Sequence, residues 1–281
     1  MGMATQRKKK FYAEHPLCIF CGGSKAIESI EHCPPRALFQ NADWPEGFAF
    51  PACLTCNHGS SDQDLLVSLL ARTGWMKPED GKDDGKVQGL IARADMRFPG
   101  IVQKMIASPT EARRRNRRLG ITPAPGETHQ QQAINLPPEF NEAIRVFALK
   151  LSKGIYYKET GNIFPSGGTL YLNWFTNAQL IANDRYTAFE ILNELGGRAP
   201  PVQRGNRYLN DQFSYRISIT DEQDIFVLEA AFTAAFGFVV FGSKNSGQLE
   251  AIIQNLKDTR QREGPLQVIQ SPLESAYLSL T

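Results

Sequence analysis

Four cysteines fall in two pairs at metal-binding spacing, Cys18 with Cys21 and Cys53 with Cys56. Two such Cys-x-x-Cys knuckles can set four thiolates around one tetrahedral zinc. Between them stands the dipeptide Glu31-His32, and Asn57 directly follows the last cysteine. A histidine of near-neutral pKa can take a proton from water. A carboxylate and an amide oxygen are hard ligands, suited to a magnesium-type ion that keeps waters for a substrate to displace. Together these groups suit attack on a phosphodiester, in which a base activates water and a cation meets the charge developing on the phosphorus and the leaving oxygen.

The elements that must position these groups are short. Residues 27–32 (IESIEH) alternate apolar and polar, as a half-buried strand does. Pro34-Pro35 stops strand pairing and forces a turn. Phe48–Ala52 reads as a second strand. Ser60, Ser61 and Asp62 offer helix-capping chemistry ahead of Leu65, Leu66, Leu69 and Leu70, an apolar face at helical spacing. The sum is strand, turn, strand and helix, pinned by one zinc. Adjacent strand residues point to opposite faces, so Glu31 and His32 share a cleft only if the chain bends at Cys33-Pro34. Asn57 could reach that cleft from the other side, where backbone N–H groups at a helix start favour phosphate.

In order, C-x-x-C at 18–21, E-H-x-P-P-R at 31–36 and C-x-x-C-N at 53–57 resemble the HNH endonuclease family, whose ββα-metal unit often carries two zinc knuckles. The resemblance spans residues 18 to about 70. It implies a metal-dependent endonuclease that hydrolyses DNA, with His32 as general base and Glu31 as a ligand of a catalytic Mg2+ or Mn2+ ion. Asn57 would be that ion's second ligand, or the group that orients His32, and Arg36 would meet the scissile phosphate. The structural zinc would rest on Cys18, Cys21, Cys53 and Cys56. Glu31 stands where the family usually has Asp. HGSSD follows Asn57 in place of the commoner x-x-Lys, which leaves the third position to His58 or Asp62. His58 either lines the cleft or is solvated at a helix start, and Asp62 reads better as a cap.

The remaining chain is expected to complete an α+β protein: an HNH unit over 1–77, a charged helical linker over 78–135, and a C-terminal α+β domain with an antiparallel sheet over 136–281. Residues 1–17 read as a mobile basic arm. Residues 87–107 look helical up to Pro99-Gly100. Arg113, Arg114, Arg115, Arg117 and Arg118 either contact DNA phosphates or form a solvated face. ITPAPGETHQQQ is a linker by composition. Pro137-Pro138 opens an amphipathic helix, Glu139–Leu151. GTLYLNWF, RYLNDQFSYRISIT and IFVLEAAFTAAFGFVVFG have strand character, with helical AFEILNEL between them and SGQLEAIIQNL as a closing helix.

Composition narrows the alternatives. The chain is 42% hydrophobic with 17 Phe, enough for a sizeable core, and holds no apolar run long enough to span a membrane. The basic N-terminal residues lack the apolar stretch of a secretory signal. Five cysteines, four of them in tight pairs, suit a reducing cytoplasm and a metal site better than a disulfide framework. Cys33 has no partner at knuckle spacing and reads as a buried thiol. Basic residues exceed acidic ones six to five over 1–60 and twelve to nine over 61–135, which suits a polyanionic partner. A homodimer or a regulatory protein partner is compatible with this, as is a place in phage defence or a mobile element. GIYY at 154–157 echoes half of another nuclease signature and lacks the second half. His15 and His129 sit in polar segments with no assigned role, and no P-loop or dinucleotide fingerprint occurs. The competing reading is a non-catalytic zinc-knuckle module that binds nucleic acid or protein.

Overall fold

A two-stranded hairpin and a five-stranded sheet lie on either side of one long helix. The computed structural model describes residues 3–73, 84–118, 134–176, 196–233, 235–245, 247 and 267–270. The elements in order are α1 (Met3–Glu14), β1 (Ser29–His32), β2 (Ala49–Ala52), α2 (Leu54–His58), α3 (Ser61–Thr73), α4 (Asp84–Arg97), α5 (Ile101–Met105), α6 (Pro109–Arg118) and α7 (Glu139–Thr160). Strands β3 (Thr169–Thr176), β4 (Gln203–Arg204), β5 (Arg207–Tyr208), β6 (Phe213–Ile219), β7 (Ile225–Phe232), β8 (Phe236–Ser243) and β9 (Gln267–Gln270) follow. The protein is therefore a mixture of helix and antiparallel sheet, and no described helix is long and apolar enough to cross a membrane.

Strands β1 and β2 pair antiparallel, with Glu31 opposite Phe50 and His32 opposite Ala49. The large sheet runs β6-β7-β8-β3-β9, every neighbouring pair antiparallel. Its β7–β8 hairpin divides the long apolar run IFVLEAAFTAAFGFVVFG, and all eight residues of β8 are buried. A strand buried on both faces reads as a continuous hydrophobic run rather than an alternating one.

Helix α7 is the axis of the fold. Every residue from Val146 to Tyr156 is buried, which marks a helix covered on all sides. It packs on α3 of the N-terminal unit and on β3 and β8 of the sheet. Phe147 meets Phe232 and Phe238 edge-on at 5.1 and 6.2 Å between ring centroids. Under Lys158, near the C-terminal end of α7, Phe48 of the hairpin region meets Phe213 and Tyr215 of β6. Hairpin, α3, α7 and sheet thus contribute to one continuous core.

Two expectations change. The N-terminal arm carries a helix, α1, held where the Tyr12 hydroxyl donates to Glu28 O and His15 Nδ1 meets the Tyr157 hydroxyl at 2.6 Å. Helix α7 does not stop at Leu151 but runs on through Gly154, so the GIYY stretch is helix interior, with Ile155 and Tyr156 buried. The proposed linker over 121–132, His129 and the two later helical stretches fall outside the described residues, apart from isolated positions.

Gly154 explains the continuation. A Cβ there would lie 2.8 Å from the Phe50 ring of β2, so the missing side chain is where hairpin and helix meet. Gly154→Ala is expected to destabilise the protein by roughly 1–3 kcal/mol through overpacking. Gly89 in α4 has open space around it. Gly89→Ala is therefore expected to stabilise by roughly 0.4–1 kcal/mol. Chemical denaturation of both variants checks the contrast, and a neutral Gly154→Ala would refute the packing account.

Candidate metal centre and the two faces of the hairpin

The first knuckle is closed by backbone bonds from Cys18 N to Lys25 O and from Gly23 N to Cys18 O. Gly22 and Gly23 turn it with φ of 68° and 81°, a left-handed conformation that side chains resist. Ile19 N donates to Pro51 O and so fastens this knuckle to β2. The second knuckle begins α2, where Cys53 is the N-cap and its sulfur accepts from Cys56 N at 3.5 Å. All four sulfurs are buried and lie within 4.8 Å of one another, close enough to hold one metal ion. Tetrahedral Zn–S bonds of about 2.3 Å put sulfurs about 3.8 Å apart, so a small contraction would suffice. Crowding already shows in the thiols: the hydrogen bond from Cys56 pulls Cys18 down to about 5, and donating that bond pushes Cys56 up. Cys33 is buried outside this group, and burial pushes its thiol well above the ordinary range.

Lys153 of α7 is fully buried beside this cluster, its Nζ donating to Phe20 O at 2.7 Å inside the first knuckle. Burial brings its pKa down to about 8, and the sulfurs of Cys56, Cys21 and Cys18 oppose that shift. A divalent ion with four thiolates carries two negative charges, and a buried ammonium offsets part of them.

Glu31 and His32 face opposite ways on β1. Glu31 is buried, and its Oε1 lies 2.5 Å from Lys150 Nζ of α7. The same ammonium reaches Asp64 Oδ2 of α3 at 3.0 Å and donates to Ser60 Oγ. Ser60 Oγ in turn donates to Asp64 at 3.0 Å. Burial raises Glu31 to about 7, with Lys150 opposing the shift and Asp64 adding to it.

His32 sits half-buried on the other side. Its Nε2 accepts from Arg36 Nη2 at 2.7 Å, so in the neutral ring the proton is on Nδ1. The imidazole edge meets Trp44 at 5.1 Å. Burial, and then the Arg36 charge, lower its pKa from 6.5 to about 4. The guanidinium groups of Arg36 and Arg204 lie over the Trp44 ring at 3.8 and 3.9 Å.

The other expected site residues are spread out. Asn57 Nδ2 donates to Ser29 Oγ at 2.9 Å and so braces the hairpin, bonded to Ser29 rather than to His32. His58 ends α2 and is exposed. Asp62 is in the first turn of α3 and makes a two-pronged ion pair with Arg97. Arg113 and Arg114 are exposed on α6, where Arg115 also lies, and that helix starts with a reciprocal Ser108–Glu111 cap. Glu31 and His32 do not share one cleft: β1 keeps its alternation through residue 32, and a cation already occupies the Glu31 side. The residues missed from the sequence are Lys150, Lys153, Ser60, Asp64, Trp44 and Arg204. Their one local signal is a pair of lysines, 150 and 153, inside an otherwise apolar helix run.

Removing the Lys150 charge strands the buried Glu31 carboxylate and the partly buried Asp64 beside it. Lys150→Met is expected to cost roughly 3–5 kcal/mol by chemical denaturation, with part regained in Lys150→Met/Glu31→Gln. A cost below about 1 kcal/mol would contradict the buried pairing. The His32 shift has its own readout, because a lowered histidine pKa favours the neutral folded state. The stability it contributes is complete above about pH 6.5 and is lost as pH falls towards 4. An NMR titration should find the ring neutral down to near pH 4, and Arg36→Ala should restore part of the shift but not the part due to burial.

Compared with protein-family models, curated proteins and solved structures, the chain matches none of them.

Proposed function

We propose that the protein is an endonuclease that hydrolyses phosphodiester bonds in nucleic acid, with DNA as the substrate and His32 as the base. The observation that carries this reading is the His32–Arg36 pair: a neutral imidazole whose lone pair is held by an exposed guanidinium. A phosphate that draws Arg36 to itself frees His32 Nε2 to take a proton from the attacking water. Arg36 then faces the charge developing on the phosphoryl oxygens. Loss of the adjacent positive charge also raises the basicity of His32 as the phosphate arrives.

The metals divide into two cases. Zinc fits the four cysteines: the donor set is four buried thiols within 4.8 Å of one another, with a buried ammonium beside them. Zinc there would hold the knuckles together and supply no chemistry. A magnesium or manganese ion held by Glu31 and Asn57 does not fit these residues as placed, because the Lys150 ammonium already holds the buried Glu31 carboxylate. That same observation favours the second reading, a zinc-knuckle module that binds nucleic acid without cutting it.

Plasmid nicking separates the two readings. The wild type, assayed with and without added magnesium or manganese, is expected to convert supercoiled DNA to nicked or linear form, and His32→Ala to lose about a hundredfold or more. Binding without cleavage under every ion condition would select the module instead. Elemental analysis should return one zinc per chain, lost in Cys53→Ser together with much of the folded structure.

A further inference from the structure

The β4–β5 hairpin reaches across the chain to the loop that carries Trp44. Glu46 N donates to Gln203 O at 2.9 Å, and Arg204 Nη1 donates to Trp44 O at 3.1 Å. Gly205 N donates to Glu46 Oε1, and Arg207 pairs with Asp43 at 2.9 Å. The anchoring sets the Arg204 guanidinium over the indole that Arg36 also covers, and the edge of His32 meets the same indole. Cross-strand pairing puts Arg207 beside Arg204.

The charge does not balance. Asp43 is set against Arg207 and, at 4.0 Å, Arg204, while Glu46 is engaged by a backbone N–H. Three guanidiniums against two carboxylates leave the cluster net positive at the surface, beside the proposed base. Stacking fixes the plane of each guanidinium; Arg204 spends one Nη1 donor on Trp44 O and Arg36 one Nη2 donor on His32, and the other N–H groups of each are what a phosphate would meet.

We propose that Arg204, with Arg36 on the same indole, forms a phosphate-binding subsite for a nucleic-acid backbone, which brings the C-terminal part of the chain into substrate binding beside His32. The inference rests on the reading of the His32 face as the nucleic-acid face, and it needs no cleavage. Asp43 is the internal competitor that a backbone phosphate displaces from Arg204.

Fluorescence anisotropy of a labelled DNA duplex, without added divalent ion and over a salt series, tests it on the full chain. Arg204→Ala is expected to weaken binding roughly fivefold to tenfold near 0.1 M salt and to reduce the salt slope by about one. Asp43→Asn, which removes the competing charge, is expected to tighten binding severalfold, an effect that a purely structural role for the loop would not give. Thermal melts establish that both variants fold. Binding by Arg204→Ala equal to that of the wild type, weakening by Asp43→Asn as large as that by Arg204→Ala, or no binding by the wild type would each overturn the subsite. Arg204-dependent binding with no cleavage would remove the nuclease reading and leave the subsite standing. Cleavage that ignores Arg204 would do the reverse.

Discussion

The Lys150 ammonium, buried among Glu31, Asp64 and Ser60, is the contact on which the arrangement depends. An isolated charge at that depth would cost several kcal/mol, so the helix bearing it is stable only where both carboxylates meet it. Those carboxylates come from β1 and α3. Lys150 therefore fixes the hairpin, the following helix and α7 relative to one another. Lys153, nearly one turn further on, repeats the device against the cysteine cluster. The N-terminal unit is thus tied to α7 through two buried cations, and α7 carries it onto the sheet through Phe147.

This constraint sorts the chemistry of the hairpin. Because β1 alternates, placing Glu31 against Lys150 turns His32 outward to Arg36 and Trp44. One face of the strand is used for cohesion, and the other carries the residues on which the proposed function rests. The β4–β5 hairpin joins the outward face because the sheet that bears β6 packs on the same core as the hairpin, through Phe48, Phe213 and Tyr215.

What the sequence discloses is what is local. The knuckles announce themselves through two-residue gaps, β1 through alternation, and α3 through leucines at helical spacing. The α+β character follows from strand-like runs after residue 165. The partners of buried charges are not local: Lys150 meets Glu31 across 119 positions, and Arg204 meets Trp44 across 160. No spacing rule connects such residues, and a lysine in an apolar run does not name its carboxylate. Helix α7 shows a different limit. Glycine lowers helix propensity, which argues for an end near Leu151, yet the helix continues because the Phe50 ring takes the space that a side chain at 154 would fill. Tertiary packing overrules the local preference there.

Glu31 belongs to the Lys150 cluster, and in the proposed function His32 meets the nucleic acid without it. A crystal structure of the protein soaked in manganese, with anomalous maps that distinguish zinc from manganese, tests this division directly. The expected result is zinc among the four sulfurs, Lys150 Nζ within hydrogen-bond distance of Glu31 and Asp64, and no manganese bound by Glu31. A manganese peak shared by Glu31 and Asn57, with Lys150 displaced, would contradict it and would return the hairpin to a single catalytic cleft.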